Sequence, residues 1–285
     1  MTYSILYRGP LSSCNYGCNY CPFSKTKNSR AELADDRLKL NRFVSWIASH
    51  PQHEINILFT PWGEALIRKY YQDALVVLSH LPNVRRVSIQ TNLSCGTAWL
   101  GKANKKTITL WTTYHPTEVS MKSFTSKCNE LDRLGVRYCV GVVGFKEYID
   151  EVRQLRAAIH SDVYLWVNAY KREQDYYSSA DVEAFKKIDH LFEYNTKYYP
   201  SEGRRCDTGR SVFSVDGNGD MYRCHFIRTR IGNIYEEGFE SNLFERACTN
   251  ATCGCHIGYI HMPGLSMNEV FGGGALERIP VTAPA

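Results

Sequence analysis

The stretch Cys14-Asn-Tyr-Gly-Cys18-Asn-Tyr-Cys21 decides how the rest of this 285-residue chain is interpreted. It directly follows a short apolar run, residues 4–8, which has the composition of a β-strand. Three thiolates spaced this closely can hold three irons of a [4Fe–4S] cube and leave the fourth iron without a protein ligand. Clusters that only carry electrons are usually held by four Cys. The motif therefore predicts a cluster with an open iron, which is a site for chemistry.

Two other interpretations of the three cysteines stay open. Zinc prefers four ligands, often as two separated Cys pairs, and about the next 25 residues after Cys21 contain no further Cys or His. A disulfide framework pairs cysteines, so an odd triplet fits it poorly. The spacing favours the iron–sulfur cluster over both.

Composition narrows the class of protein. Hydrophobic residues make up 44% and charged residues 22% of the chain, as in ordinary globular proteins. No apolar run approaches the roughly 18 residues of a membrane span, and the N-terminus lacks the pattern of a signal peptide. Eleven cysteines in such a chain indicate metal binding in a cytoplasmic protein. The net charge of +5 is carried by scattered residues, so nucleic acid is not indicated as a partner.

Alternating apolar runs and amphipathic stretches predict an α/β fold with a parallel sheet. The candidate strands are residues 4–8, 55–59, 86–90, 107–114, 137–143 and 163–168, and the clearest helices are 36–49 and 118–134. The alternation stops near residue 198. A Gly- and Cys-rich module then follows over residues 198–270, and residues 271–285 have the composition of a loose tail.

The three-cysteine spacing, with Tyr20 before the last Cys, resembles the radical S-adenosylmethionine (SAM) superfamily. In that family the open iron is chelated by the amino and carboxylate groups of SAM. The resemblance implies a partial (β/α)6 barrel over residues 1–197. The chain resembles most a group of stand-alone bacterial members that share the segment Leu-Tyr-Arg-Gly-Pro-Leu-Ser-Ser-Cys near their start. Residues 6–14 have this sequence here.

Within this resemblance, candidate cofactor-binding residues follow successive strands. Thr-Pro-Trp-Gly63-Glu64 resembles the family's Gly-Gly-Glu motif, which meets the SAM ammonium, with Trp62 in place of the first Gly. A role for Glu64 only in starting the next helix is the alternative. The other candidates that the resemblance implies are Asn92, His115, Gly144 and Asn168.

The C-terminal module resembles the SPASM and twitch extensions of radical SAM enzymes. Cys206 is followed by 12 residues, Gly219, four residues and Cys224, which matches the opening of those extensions. The expected ligands of one auxiliary [4Fe–4S] cluster are Cys206, Cys224, Cys253 and Cys255, with Cys248 as the alternate. A four-Cys zinc knuckle is the alternative for this module. Cys128 and Cys139 are expected to be core thiols, as is Cys95, for which a hydrogen-donor role is the alternative.

The resemblance implies an enzyme that cleaves SAM to a 5′-deoxyadenosyl radical and abstracts hydrogen from a substrate. A flavodoxin- or ferredoxin-type protein is the expected electron donor. The predicted barrel starts at residue 4, so we expect no leader-binding module before it, and this expectation favours a small-molecule or short-peptide substrate. The rival functions are modification of nucleic acid and a non-catalytic iron–sulfur scaffold or electron carrier. The catalytic side chains and the bond that reacts do not follow from the sequence.

Overall fold

A computed structural model describes residues 1–23 and 26–281 and shows an open α/β barrel. Six parallel strands lie side by side in chain order, as the sequence predicts. They are β1 (Thr2–Arg8), β2 (Glu54–Phe59), β3 (Val84–Thr91), β4 (Ile108–Tyr114), β5 (Arg137–Gly144) and β6 (Leu165–Ala169). Because all six run the same way, their carboxyl ends share one edge of the sheet, where ligands bind in folds of this class.

Helices cover the outer face of the sheet and bury most of the apolar residues against it. The longer ones are α1 (Arg30–Ser49), α2 (Lys69–His80), α3 (Met121–Arg133), α4 (Ile149–Ala158) and α5 (Ser179–Lys186), followed by the short α6 (Phe192–Thr196), α7 (His256–Tyr259) and α8 (Met267–Phe271). Helix α1 begins six residues before the predicted start. A capping box explains this, because Ser29 and Glu32 each bond the other's backbone N–H. No helix among the described residues is long and apolar enough to cross a membrane.

The C-terminal cysteine-rich segment adds further strands. They are β7 (Tyr199–Pro200), β8 (Val212–Asp216), β9 (Asp220–Tyr222), β10 (Arg230–Asn233) and β11 (Thr252–Cys253). Strands β8 and β9 form a hairpin, with Gly219 at φ +85° in its turn. Strand β8 also pairs in parallel with β1, so the order of the main sheet is β10-β9-β8-β1-β2-β3-β4-β5-β6. The predicted boundary at residue 198 lies between α6 and β7, and the segment beyond it shares a sheet with the barrel.

The described part of the predicted tail packs into the barrel. Leu276 joins a buried cluster with inward-facing residues of the parallel strands. Glu277, which is 1% exposed, pairs with Arg86 (Nε–Oε1 2.6 Å) and Arg137 (Nη2–Oε2 3.1 Å), near the amino ends of their strands. Residues 276–278 therefore belong to the core, because a buried carboxylate held by two guanidinium groups is fixed in place. Residues 282–285 of the predicted tail lie outside the described residues.

Candidate functional site

The cysteine loop after β1 is held in place by the loop after β2. The backbone N–H of Glu64 donates to Ser13 O at 3.1 Å. A Cβ atom on Gly63 would lie 1.9 Å from the same carbonyl oxygen. The two loops can therefore cross only because residue 63 is glycine. The side chain of Asn28 adds a second support, since its Oδ1 accepts from Ser12 N (2.9 Å) and Ser13 N (2.8 Å).

Cys14, Cys18 and Cys21 line one cavity of about 400 Å³ at the carboxyl ends of the strands. This volume falls in the range of about 300–1,000 Å³ that is usual for small-molecule sites. Five of the six cofactor-binding candidates line the same cavity, namely Gly63, Glu64, Asn92, His115 and Asn168. Three thiols on the wall of a roomy cavity fit a cluster that presents one iron to a bound molecule.

Polar groups surround the cysteine sulfurs. Cys14 Sγ accepts from Tyr16 N at 3.4 Å and lies 3.7 Å from Asn92 Nδ2, which donates to it. His115 Nδ1 lies 3.4 Å from Cys18 Sγ and 2.9 Å from the hydroxyl of Tyr20. Burial lowers the pKa of His115 to about 4, so its ring is neutral at pH 7. A neutral ring beside Cys18 contributes a hydrogen bond and no charge.

Glu64 is 2% exposed and its carboxylate accepts three hydrogen bonds from the protein. The donors are Leu66 N (3.0 Å), Thr91 Oγ1 (2.9 Å) and Asn92 N (2.6 Å). These bonds join the ends of β2 and β3 and also cap the short 3₁₀ helix that starts at residue 65. Burial nevertheless dominates and raises the pKa of Glu64 to about 7. The carboxylate has a structural role, and it also lines the cavity where the sequence places a SAM ammonium group.

Asn92 connects the end of β3 to the cysteine loop. Its Nδ2 donates to Asn15 Oδ1 at 3.1 Å, and its Oδ1 accepts from Ser94 N at 2.9 Å. Leu93 follows with φ +57°, in the left-handed region that favours glycine. A leucine there costs roughly 1 kcal/mol or more.

The last two candidates differ in position. Asn168 lines the cavity, whereas Gly144 does not, and Val142 and Val143 do so on the same strand. Gly144 instead makes room for Val167, because a Cβ atom on it would lie 2.6 Å from Val167 Cγ1. Its carbonyl accepts a hydrogen bond from the hydroxyl of Tyr177.

Several cavity residues were not singled out from the sequence. They are Trp111, Thr113, Trp166, Lys171 and Arg172. Each lies on or just after β4 or β6, so the rule that ligands bind at strand ends could have identified them. Gly141 on β5 leaves room for the Trp166 ring, because a Cβ atom at residue 141 would lie 2.0 Å from Trp166 Cζ2.

A second cavity, of about 230 Å³, lies in the C-terminal segment and is lined by five cysteines. They are Cys206, Cys224, Cys248, Cys253 and Cys255. The four predicted ligands and the alternate thus share one site. Cys248 is held next to Cys206 by paired backbone bonds, Gly203 N to Cys248 O (2.8 Å) and Cys248 N to Arg204 O (3.2 Å). Burial raises the pKa of Cys253 to about 12, with the charges of neighbouring cysteines adding to the rise.

The size of this cavity bears on the choice between zinc and a cluster. Four thiolates at the Zn–S distance of 2.3 Å lie only about 3.8 Å apart and leave no cavity between them. The cavity of about 230 Å³, which the five thiols line together with ten other residues, has room for a group larger than a single ion. Within residues 1–23 and 26–281, no three His, Cys, Asp or Glu side chains converge closely enough to hold a single metal ion.

The other three cysteines line neither cavity. Cys128 and Cys139 are buried in the apolar cores, as the sequence predicts. Cys95 is half-buried and packs against the main core, while its carbonyl accepts a hydrogen bond from Lys127 Nζ at 2.7 Å.

Comparison with protein-family models and with curated proteins finds no match. Among solved structures, anSMEcpe with bound AdoMet (another name for SAM) is similar at 14% identity and a TM-score of 0.56, over 86% of this chain and 80% of that one. Native anSMEcpe with bound AdoMet and the Kp18Cys peptide gives 15% identity and a TM-score of 0.58, over 86% and 80%. BtrN with AdoMet and 2-DOIA is similar at 17% identity but a TM-score of only 0.37, and no argument rests on it. The first two likenesses show that this chain shares the fold of AdoMet-bound anSMEcpe.

Proposed function

We propose that this chain is a radical SAM enzyme. One observation carries the proposal: Cys14, Cys18 and Cys21 line a single 400 Å³ cavity together with Glu64 and Asn92 at the carboxyl edge of a radical SAM barrel. When bound there, a [4Fe–4S] cluster and SAM supply the one-electron cleavage that gives methionine and a 5′-deoxyadenosyl radical, which abstracts hydrogen from a substrate.

The residues of the cavity hold and orient these groups. The three cysteines would ligate the cluster, and Glu64, the one carboxylate among the described lining residues, would accept a hydrogen bond from the SAM ammonium. His115 and Tyr20 hydrogen-bond beside Cys18 and fix that part of the loop. Trp111 and Trp166 give the cavity apolar walls that exclude water from a reactive intermediate. For Asn168, which lines the cavity at the end of β6, we propose a contact with the adenine.

The second cysteine cavity supports an auxiliary [4Fe–4S] cluster, which assists oxidation of the substrate or binds it. Five thiols are available for four ligands. Our choice of ligands remains Cys206, Cys224, Cys253 and Cys255, with Cys248 as the alternate.

For the substrate we propose a small molecule or a short peptide, and for the electron donor a flavodoxin- or ferredoxin-type protein in the cytoplasm. The peptide alternative is kept because one structural neighbour, anSMEcpe, was solved with a peptide bound. Nucleic acid is disfavoured by the scattered basic residues. A non-catalytic electron carrier is disfavoured by the three-cysteine motif, since carriers usually use four ligands.

Spectroscopy of the reconstituted protein tests the proposal. After anaerobic loading with iron and sulfide, the chain should hold about eight irons as two clusters. SAM should then alter the electron paramagnetic resonance (EPR) signal of one cluster, because it binds the open iron directly. A protein in which SAM leaves both signals unchanged contradicts the proposed site.

A further inference from the structure

Lys171 lies between the two cysteine sites. It follows β6 and lines the cavity of Cys14, Cys18 and Cys21. Its Nζ donates to Asn195 O at 2.6 Å and also to Gly254 O. Because Gly254 stands between Cys253 and Cys255, Lys171 ties the cysteine loop of the second site to the end of a barrel strand.

An aromatic ring completes this contact. Tyr198 packs on Gly254 so closely that a Cβ atom there would lie 2.5 Å from Tyr198 Cδ1. Lys171 Nζ lies 5.0 Å from the centre of the same ring, within the usual distance for a cation–π interaction. In the described part of the chain, no Asp or Glu oxygen lies within 4 Å of Lys171 Nζ. The ammonium is thus held by carbonyls and a ring, and its charge is not neutralised by a carboxylate.

Two further cations show the same pattern. The guanidinium carbon of Arg8 lies 4.0 Å from the centre of the Trp62 ring, and that of Arg278 lies 3.9 Å from the centre of the Trp166 ring. Neither pairs with a carboxylate among residues 1–23 and 26–281. Both lie close to the second site. Arg8 Nε donates to Thr60 O at 2.8 Å, and Thr60 Oγ1 lies 2.7 Å from Nε2 of His225, the residue after Cys224. Arg278 lies 5.4 Å from the centre of the Trp111 ring, which packs on His256, the residue after Cys255.

Cations removed from water without counter-charges are costly. A set of thiolates around an iron–sulfur cluster would supply the missing negative charge. The reduced cluster carries one more negative charge than the oxidised one, so nearby cations stabilise the reduced state more. Net charge is one of the factors that set the reduction potential of such clusters.

We propose that Lys171 positions the loop of Cys253 and Cys255, and that its charge, together with Arg8 and Arg278, raises the reduction potential of the cluster held there. The inference rests on the proposed auxiliary cluster. It goes beyond it by naming the residue that links that cluster to the first cavity and the charges that favour its reduction.

An EPR-monitored redox titration of the loaded full-length protein tests the inference. The cluster of interest is the one whose signal SAM does not alter. Lys171→Gln keeps amide donors near the two carbonyls but removes the charge, so the midpoint potential of this cluster should fall. At a fixed potential the ratio of reduced to oxidised cluster should drop about tenfold, which corresponds to about 59 mV for one electron. Lys171→Arg should keep the wild-type midpoint.

Controls separate this inference from the proposed function. Lys197→Met removes an exposed lysine that pairs with Glu193 and should leave both midpoints unchanged. If Lys171→Gln loses the iron of the second site, the midpoint is measured in Arg8→Gln, where the Lys171 contacts are intact, and it should again fall. Two loaded clusters with an unchanged midpoint in the charge-removing variant overturn the inference alone. One zinc and only about four irons in the wild type overturn the auxiliary cluster itself, and the inference with it.

Discussion

Glu64 is the single residue whose surroundings constrain its function most. Burial raises its pKa to about 7 from an ordinary value of 4.5. This shift means that the protein favours the protonated over the ionised carboxyl by roughly 3 kcal/mol. A raised pKa means that the stability contributed by this group is fully present below about pH 4.5 and is lost as the pH rises through 7. An ammonium group beside the ionised carboxylate would offset that loss.

We therefore predict that SAM affinity depends on pH through Glu64. Below pH 7 the carboxyl becomes protonated, so affinity should fall by up to about tenfold per pH unit. In Glu64→Gln the affinity should be about 10- to 150-fold weaker at pH 8 and nearly independent of pH, with iron content unchanged. Anaerobic equilibrium dialysis between pH 6 and 8 measures both. Equal affinity in mutant and wild type would leave Glu64 with its structural role only.

The same variant has a second expected effect. The Glu64 carboxylate accepts hydrogen bonds from three N–H or O–H groups. In the Gln variant, the amide NH₂ would face one of these donors, and that hydrogen bond would be lost. Loss of a buried hydrogen bond costs about 1–3 kcal/mol. The amide cannot ionise, however, so the free energy of unfolding measured in urea should fall less between pH 5 and pH 8 than it does in the wild type. The sequence alone indicated the position of Glu64 but not these three donors, because they depend on how two strand ends meet.

At the scale of structural elements, the crossing of the loops after β1 and β2 positions the cluster motif. We predict that Gly63→Ala displaces the cysteine loop, because its Cβ would lie 1.9 Å from Ser13 O and backbone cannot move aside cheaply. The variant should lose about half of the bound iron and the SAM-dependent EPR change. Gly96→Ala is the matched control, since no atom lies within 4 Å of a Cβ there. Full iron loading of Gly63→Ala would contradict this role.

Some of the helices and strands could be predicted from the sequence, and others could not. Six parallel strands and helix α3 agree with the predictions because their apolar residues recur with the periods of a strand and a helix. The start of α1 was missed because its first turn is polar and is fixed by the Ser29–Glu32 capping box instead. The pairing of β8 with β1 could not be predicted, since local patterns do not specify which distant strand is the neighbour. The burial of Glu277 against Arg86 and Arg137 was not predicted, because the glycine-rich segment before it has the composition of a loose tail.

At the scale of the whole molecule, strands β8, β9 and β10 of the cysteine-rich segment continue the sheet of the barrel. We predict that Cys206→Ala with Cys224→Ala lowers iron content by about half and exposes residues 225–255 to proteases, because metal ligation supplies folding energy. Strand β8 should stay protected through its pairing with β1. SAM cleavage without substrate should persist, because the first site is intact. Limited proteolysis with iron analysis measures this, and an unchanged iron content would exclude a cluster at these cysteines.

The central claim is that Cys14, Cys18 and Cys21 form the site that cleaves SAM. The most direct measurement is the formation of 5′-deoxyadenosine from SAM with dithionite, under anaerobic conditions and without substrate. Wild type and the control Cys95→Ala should both form it, because Cys95 lines neither cavity. The triple variant Cys14→Ala, Cys18→Ala, Cys21→Ala should form none and should keep about half of the iron. A triple variant that still releases 5′-deoxyadenosine at the wild-type rate would contradict the account.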